Sequence, residues 1–332
     1  MSVLVTGGAG YIGSHMVHTL VEAGERVVVL DNLSTGRTAF LPRDVPVIVG
    51  DVGDAILVAS LIKSHRVEAI LHFAASIVVS ESIGHPLDYY RNNTANSRTL
   101  LETAIAGGVR HFIFSSTAAV YGNPLQVPVS EDAVPVPLSP YGWSKLMTEV
   151  MLQDAATAHG LSYVILRYFN VAGADPRMRT GHSAPDATHL IKVAIQAALG
   201  LRDHLDVFGT DYPTPDGTCI RDYIHVCDLA RAHLSALDYL RSKGPNATFN
   251  CGYGRGYSVL QVIDSVRRAV GHDIPVRIAS RREGDPVAII AQASKIRSRL
   301  SWSPQFDDLD TIIDHALAWE RTLMRNRRTV EQ

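Results

Sequence analysis

The stretch Ser2-Val3-Leu4-Val5-Thr6-Gly7-Gly8-Ala9-Gly10-Tyr11-Ile12-Gly13 runs an apolar segment of strand character directly into a glycine-rich turn and the opening of a helix. The glycines fit both G-x-G-x-x-G (Gly8, Gly10, Gly13) and G-x-x-G-x-x-G (Gly7, Gly10, Gly13). Without a Cβ the backbone turns tightly and lets a pyrophosphate come close, and the last glycine lets helix pack on strand. The helix N-terminus then offers unpaired N–H groups and a partial positive charge to the anion. Such turns are common, so the context decides. Residues 26–30 read as the second strand and lead into Asp31, eighteen positions beyond Gly13. An acid there accepts both ribose hydroxyls of an adenosine and repels a 2′-phosphate, which points to NAD rather than NADP. Its structural alternative is to cap the following turn. Asp51, after a third strand at 45–49, has two readings: an adenine contact, or the cap of a helix at 55–64.

Outward from this unit, short apolar runs alternate with helical stretches. Further strands are expected at 69–72, 111–115 and 163–167, and helices at 12–23, 93–106 and 142–159. Strict alternation implies parallel strands joined by right-handed crossovers, and runs apolar on both faces imply helices on either side. The fold class is therefore α/β, a Rossmann-type doubly wound parallel sheet. After Gly173 the texture changes to polar loops at 175–186 and 210–218, helices at 190–199, 226–240, 259–270 and 311–324, and strands near 248–251 and 276–279. We assign 1–173 to a nucleotide-binding domain, with segments near 221–252 returning to it, and 174–332 to a smaller α/β substrate domain.

The bulk properties narrow the function. A formal charge of −2 over 332 residues lacks the basic excess of a nucleic-acid binder. The basic run from Arg325 to Arg328 reads as a frayed, solvated tail. Cys219, Cys227 and Cys251 are scattered and fit neither a disulfide framework nor a metal site, so a reduced, cytoplasmic setting without metal is expected. The residues before strand-like Val3-Leu4-Val5 lack the charged start and cleavage site of a signal peptide and no apolar run reaches about 18 residues, so neither a leader nor membrane association is expected.

The chemistry centres on Ser139-Pro140-Tyr141-Gly142-Trp143-Ser144-Lys145. Tyr141 and Lys145 stand four apart, on one face of a helix. A free phenol has a pKa of about 10, and bringing it to about 7 takes roughly 4 kcal/mol of preference for the phenolate. A nearby ammonium and a cationic nicotinamide can supply this in a desolvated cleft. A Y-x-x-x-K spacing arises often on ordinary amphipathic helices, and it gains meaning behind a strand ending in hydroxyls. Phe112-Ile113-Phe114-Ser115-Ser116-Thr117 is such a strand. Thr117, just past its carboxyl end where open α/β sheets bind ligands, either relays a proton to Tyr141 or caps a turn.

TGGAGYIGSH, HFAASIVVSES, SSTAAVYG, SPYGWSK, RYFNVAGADP, GTCIRDYIHVCDLARAH, FNCGYGRGYS and RREGD follow in order along nearly the whole chain. Together they resemble the extended short-chain dehydrogenase/reductase family, in its UDP-glucose 4-epimerase (UDP-galactose 4-epimerase) branch. The resemblance implies bound NAD that takes hydride from sugar C4 while Tyr141 takes the hydroxyl proton. A 4-keto sugar then turns about its pyrophosphate and is reduced on the opposite face, with no net redox change. By motif, Thr117, Tyr141 and Lys145 match the family's catalytic set. Gly7, Gly10, Tyr11, Ile12, Gly13, Asp31, Asn32, Asp51, Val52, Phe73, Ala74, Asn93, Ser115, Tyr141, Lys145 and Tyr168 fall on its cofactor contacts. Thr117, Asn170, His189, Leu190, Arg221, Tyr223, Arg282 and Asp285 fall on its UDP-sugar contacts, Arg being suited to bidentate phosphate binding. A homodimer paired through helices such as 93–106 and 142–159 is also implied.

Four positions depart from the pattern. Ile77 stands where some epimerases carry a cofactor-contacting Lys; His189-Leu190 replaces an Asn-Leu pair. Lys192 replaces a common Pro, to meet a phosphate or to face water, and Ile289 occupies the position that gates the hexose pocket by size. Ala118-Ala119 after Thr117 leave no acid or base for elimination, against a nucleotide-sugar dehydratase. A UDP-pentose, uronate or N-acetylhexosamine epimerase stays open. A silent NAD-binding scaffold would not need an activated phenol.

Overall fold

Every second residue of the first strands turns to one side. Val3, Val5, Val29, Leu71, Ile113 and Leu166 enter one buried cluster, and Leu4, Val28, Leu30, Ile70, Phe112 and Ile165 enter another. Two apolar faces require two helical layers. In the computed structural model, which describes residues 1–184, 187–282 and 284–330 and side chains to 326, both layers are present. The end of the 175–186 loop (Pro185, Asp186) and the side chains of Arg327 and Arg328 lie outside the described residues.

The strands are β1 (Ser2–Thr6), β2 (Val27–Asp31), β3 (Val47–Val49), β4 (Val67–His72), β5 (His111–Thr117), β6 (Ser162–Tyr168), β7 (Asn170–Ala172), β8 (Leu205–Phe208), β9 (Ile220–His225), β10 (Ala247–Cys251), β11 (Gly256–Ser258), β12 (Val276–Ala279) and β13 (Ala288–Ile289). Seven form one wholly parallel sheet in the order β10-β6-β5-β4-β1-β2-β3. Its order reverses between β1 and β4, which places the ligand crevice at their carboxyl ends.

The helices are α1 (Tyr11–Glu22), α2 (Ala55–His65), α3 (Val79–Gly84), α4 (Pro86–Tyr89), α5 (Asn96–Ala106), α6 (Pro140–His159), α7 (Leu190–Ala198), α8 (Val226–Arg241), α9 (Val259–Val270), α10 (Ser294–Arg299) and α11 (Leu309–Val330). α1 and α8 cover one face of the sheet, and α2, α5 and α6 the other. In the second half, β9 pairs with β7, β11 and β13, and β8 pairs with β12. α7, α9 and α11 pack together beside them. Within residues 221–252, α8 packs on the seven-stranded sheet and β10 forms its edge, whereas β9 pairs in the second sheet.

Two helices differ from expectation. That expected from residue 93 begins at Pro86, because α4 runs into α5 through a π-helical turn, Tyr90–Ala95. The last helix continues to Val330, so residues 325–330 are helical where a frayed tail was expected; the run has no Gly or Pro to stop it. Among the described residues no helix is long and apolar enough to cross a membrane.

Candidate active site

The glycines of the first turn are demanded by neighbours. Gly7 has φ +68°, and a Cβ there would lie 2.6 Å from Ala74 N, on the segment leaving β4. A Cβ on Gly13 would lie 2.1 Å from Gly7 O, and one on Gly36 3.0 Å from Asp31 Oδ1. The crevice is thus walled by bare backbone, which fits close approach of a dinucleotide. Asp31 is buried and accepts from Ala9 N at 2.9 Å and Leu33 N at 2.8 Å. It does hold its turn, and it also ties the glycine turn to β2; each oxygen keeps a further lone pair for a ribose hydroxyl. Asp51 accepts from Gly53 N (2.7 Å) and Asn96 Nδ2 (2.9 Å), with Asn32 Nδ2 at 3.5 Å. The cap of α2 is Asp54, which accepts from Leu57 N, so the capping reading of Asp51 is set aside. Val52 is buried beside it.

Phe73 and Ala74 continue from β4 across the crevice, the Phe73 ring tilted by 39° against that of His233 of α8 with centroids 4.7 Å apart. Asn93, in the π turn, is buried. Its Oδ1 accepts from Ser76 N (2.8 Å), and its Nδ2 donates to Ser76 O (2.9 Å) and Ser144 Oγ (3.0 Å). Its amide pins the post-β4 segment to α6. Ile77 is half exposed. Tyr11 donates to Gly173 O at 2.7 Å, joining the first turn of α1 to the start of the second half, while Ile12 packs against the α1/α8 side of the core.

The reacting layer is assembled by the start of α6. Ser139 Oγ accepts from Gly142 N and Pro140 takes the first helical position, a strong start signal. Gly142 then lies so close to the turn after β5 that a Cβ would fall 2.8 Å from Ala119 O. This brings Tyr141 to Thr117, whose hydroxyl favours the ionised phenol. Thr117 also accepts from Ala119 N at 3.1 Å, so it caps its turn and meets Tyr141 at once. Lys145 is buried, donates to Ser115 O at 2.9 Å and lies 4.9 Å over the Phe114 ring. Ser115 Oγ bonds His233 Nε2 at 2.9 Å, and Tyr168 is the register partner of Thr117.

Burial dominates the electrostatics of this layer. Burial raises the Tyr141 phenol above its ordinary value, and Thr117 alone opposes it. Burial lowers the Lys145 ammonium to about 7, opposed by Glu149. The ammonium turns to a backbone carbonyl, and the expected lowering of the phenol by Lys145 is not present in the protein alone.

In the second half, Asn170 and Tyr223 are register partners of β7 and β9. With Tyr11, His182, His189 and Trp319 they line a cavity of about 30 Å³. His189 precedes α7, and Leu190 opens it. Lys192 neither faces water nor stands free for a phosphate: it is buried, bonded to Glu320 Oε2 at 2.6 Å and to His182 O at 2.8 Å. Arg221 and Asp285 come together at 3.4 Å. The Arg282 guanidinium lies 3.7 Å from the Phe208 ring centroid. Ile289 is buried with Ala118, Val120 and Phe169, forming a wall next to Thr117. Gly36 and Phe208 carried no signal in the sequence, and Gly142 and His233, though inside quoted motifs, were given no role of their own, since only proximity across the fold brings the four to the site.

The model of the NAD dependent epimerase/dehydratase family matches residues 3–252. The chain belongs to that family. The match ends one residue past β10, so this epimerase/dehydratase unit includes α8 and β10. The chain is 59% identical to UDP-glucose 4-epimerase of Azospirillum brasilense over 321 residues, 97% of this chain and 92% of that protein. Among solved structures it resembles UDP-glucose 4-epimerase from Brucella ovis in complex with NAD, with TM-score 0.93, 44% identity and coverage of 96% and 97%. It also resembles the UDP-Glc/GlcNAc 4-epimerase of Campylobacter jejuni, with TM-score 0.84, 48% identity and coverage of 97% and 99%.

Proposed function

We propose that this enzyme interconverts UDP-glucose and UDP-galactose by inverting C4 with tightly held NAD. The observation that carries this reading is Tyr141 set beside Thr117 and one helical turn from a buried Lys145, at the carboxyl edge of the sheet and beside a crevice whose glycines leave no room for a Cβ. Bound NAD would supply a reversible hydride acceptor at C4. The chain supplies the proton path. Thr117 Oγ1 takes the sugar hydroxyl's hydrogen bond and hands the proton to Tyr141 Oη, and the path runs backward after the sugar has turned. Because burial disfavours the phenolate, a charged Lys145 and the cofactor's cation must offset it when the site is filled.

The cofactor contacts proposed are Gly7, Gly10, Tyr11, Ile12, Gly13, Asp31, Asn32, Asp51, Val52, Phe73, Ala74, Ser115, Tyr168 and, through the segment it holds, Asn93. Asn170, His189, Leu190, Arg221, Tyr223, Arg282 and Asp285 are proposed for the UDP-sugar, with the paired Arg221 and Asp285 dividing diphosphate and ribose. Residues 1–173 with α8 and β10 would hold NAD, and the remaining layer UDP-sugar. A UDP-N-acetylhexosamine substrate is the second reading, supported by the likeness to the Campylobacter jejuni UDP-Glc/GlcNAc enzyme. A homodimer is supported by Trp143, Met147 and Val150, which leave an exposed apolar stripe along α6. Free thiols at all three cysteines support a cytoplasmic setting.

The test is C4 inversion of UDP-glucose, UDP-N-acetylglucosamine and a UDP-pentose without added NAD. Inversion of UDP-glucose supports the proposal; no inversion of any of them, even with NAD added, rejects it.

A further inference from the structure

Tyr141, Lys145 and Glu149 occupy successive turns of α6 on one buried face. Glu149 has no solvent exposure, and Arg167 of β6 is 5% exposed. Arg167 holds the carboxylate with Nε at 3.0 and 3.2 Å and Nη2 at 2.6 Å, and Ser116 Oγ donates to the same carboxylate. The guanidinium also donates to Tyr121 Oη at 3.0 Å and lies 5.0 Å from that ring's centroid. Ser116 and Arg167 are register partners, flanked by Thr117 opposite Tyr168. The pair therefore lies one residue behind the reacting layer, and the proton path proposed above does not use it. A buried ion pair is weak as a stabiliser, because desolvation offsets most of its attraction. Its field on neighbours remains strong for want of water.

Lys145 is the neighbour that feels it. Its Nζ meets a carbonyl; His72 of β4 faces it, Tyr168 of β6 and Tyr89 of α4, with Tyr89's partner Glu81 of α3, lie on the Tyr141 side of the couple, and Arg167 of β6 with Tyr121 lies beyond Glu149. The two histidines nearest the layer, His72 and His233, are held neutral by burial. Glu149 is thus the fixed negative charge near Lys145, and Arg167 is the fixed positive charge that limits its pull.

We propose that the Glu149–Arg167 pair sets the pH window of the Lys145–Tyr141 couple, with Glu149 favouring the form in which lysine is charged and the phenol ionised. Neither residue touches the reacting atoms, so both are positioning residues. The inference rests on the reading of Tyr141 as base and Lys145 as its activator. The couple titrates as a unit, and its working form has lost one proton from the pair. Removing Glu149's charge makes the surroundings more positive and moves both proton losses to lower pH; removing Arg167's charge moves both to higher pH. A unit charge one helical turn away in a partly polarisable interior shifts such a midpoint by about one unit. Glu149 is nearer Lys145 than Tyr141 along the helix. Its loss therefore also favours the inactive form with neutral lysine and neutral phenol, and lowers maximal kcat.

The experiment measures kcat against pH for the NAD-loaded full chain and for Glu149→Gln, Arg167→Gln and the double variant. The phenolate absorbance titration of each, taken as the difference from its Tyr141→Phe counterpart, is followed in parallel. Expected are an acid shift of about one unit in Glu149→Gln, an alkaline shift in Arg167→Gln and a return toward the parent in the double variant. Lost turnover with unmoved midpoints, or shifts of the same sign in both single variants, overturns the proposal. If either single variant fails to fold, the double variant, which leaves no lone buried charge, is compared with Glu149→Gln/Arg167→Lys. The added positive charge must then move the midpoint to lower pH, and an unmoved midpoint refutes it. The absorbance titration needs no turnover, so an inactive chain whose phenolate midpoint still moves would sink the assigned reaction and leave the pair's role standing.

Discussion

Gly142→Ala tests the geometry that brings Tyr141 to Thr117. The new Cβ would lie 2.8 Å from Ala119 O and 2.9 Å from Pro137 Cβ. Carbon atoms pack best at about 3.5–4.0 Å, so the first turn of α6 must retreat by roughly 0.5–1 Å from the turn after β5. Alanine gains up to about 1 kcal/mol over glycine in a helix, while overpacking costs about 1–3 kcal/mol. The protein should therefore stay folded and lose about 3 kcal/mol at most. Catalysis is less forgiving, because a misplacement of about 1 Å can cost about 100-fold. We expect kcat for UDP-glucose inversion to fall roughly 10- to 100-fold with Tm lowered by only a few degrees. The control is Gly160→Ala, at φ +72° with no atom within 4 Å of the new Cβ. It should cost about 1 kcal/mol of stability and leave kcat unchanged. A Gly142→Ala enzyme with kcat within about twofold of the parent would refute the claim that this contact sets the Tyr141–Thr117 geometry.

Tyr141→Phe should lower kcat by about 10²- to 10⁴-fold, the usual worth of a general base, while UDP binding by calorimetry stays near normal; near-full turnover would remove Tyr141 as the base. Asp31 predicts that NAD, not NADP, is recovered from the purified protein, and recovery of NADP in excess would overturn the ribose assignment. Burial holds His15 and His233 at about 4 and His72 at about 3. The unfolded chain binds these protons near pH 6.5, so the stability they confer is complete above that value and declines as pH falls toward 4 and 3, by about 2 kcal/mol per histidine by pH 5. Urea midpoints that stay flat between pH 7 and 5 would contradict this. Trp143→Glu with Met147→Glu should turn the proposed dimer into a monomer in sedimentation equilibrium, and an undiminished mass would place the interface elsewhere.

What could be read in advance follows physical range. The strands of the sheet and the glycine turn are local: alternation of Val3, Val5 and Leu4 between two clusters, or the backbone needs of Gly7 and Gly13, depend on neighbours close in the chain. The Y-x-x-x-K spacing is equally local. Less legible was anything decided by a contact between distant segments. Lys192 was expected at a phosphate or in water, yet its partner Glu320 lies 128 residues away. Asn93 looked like the start of a helix, whereas a π turn holds it against Ser76 and Ser144. The Y-x-x-x-K spacing brings Tyr141 and Lys145 to one face of a helix without fixing where each rotamer points, and in the protein alone Lys145 points to Ser115 O. Asp54, not Asp51, caps α2, an ambiguity that only the path of the intervening turn resolves.

The late return of β10 to the edge of the seven-stranded sheet has a consequence for how the chain can be divided. β10 pairs with β6 in parallel only after nearly eighty residues, a stretch that includes α8, which packs on α1. A fragment ending at Gly173 would expose β6 as an open edge, with Val164 and Leu166 stripped of the cover that α8 gives them. The two halves would then neither fold as separate modules nor exchange as cassettes. Partial proteolysis should yield one cooperative loss rather than a stable amino-terminal half.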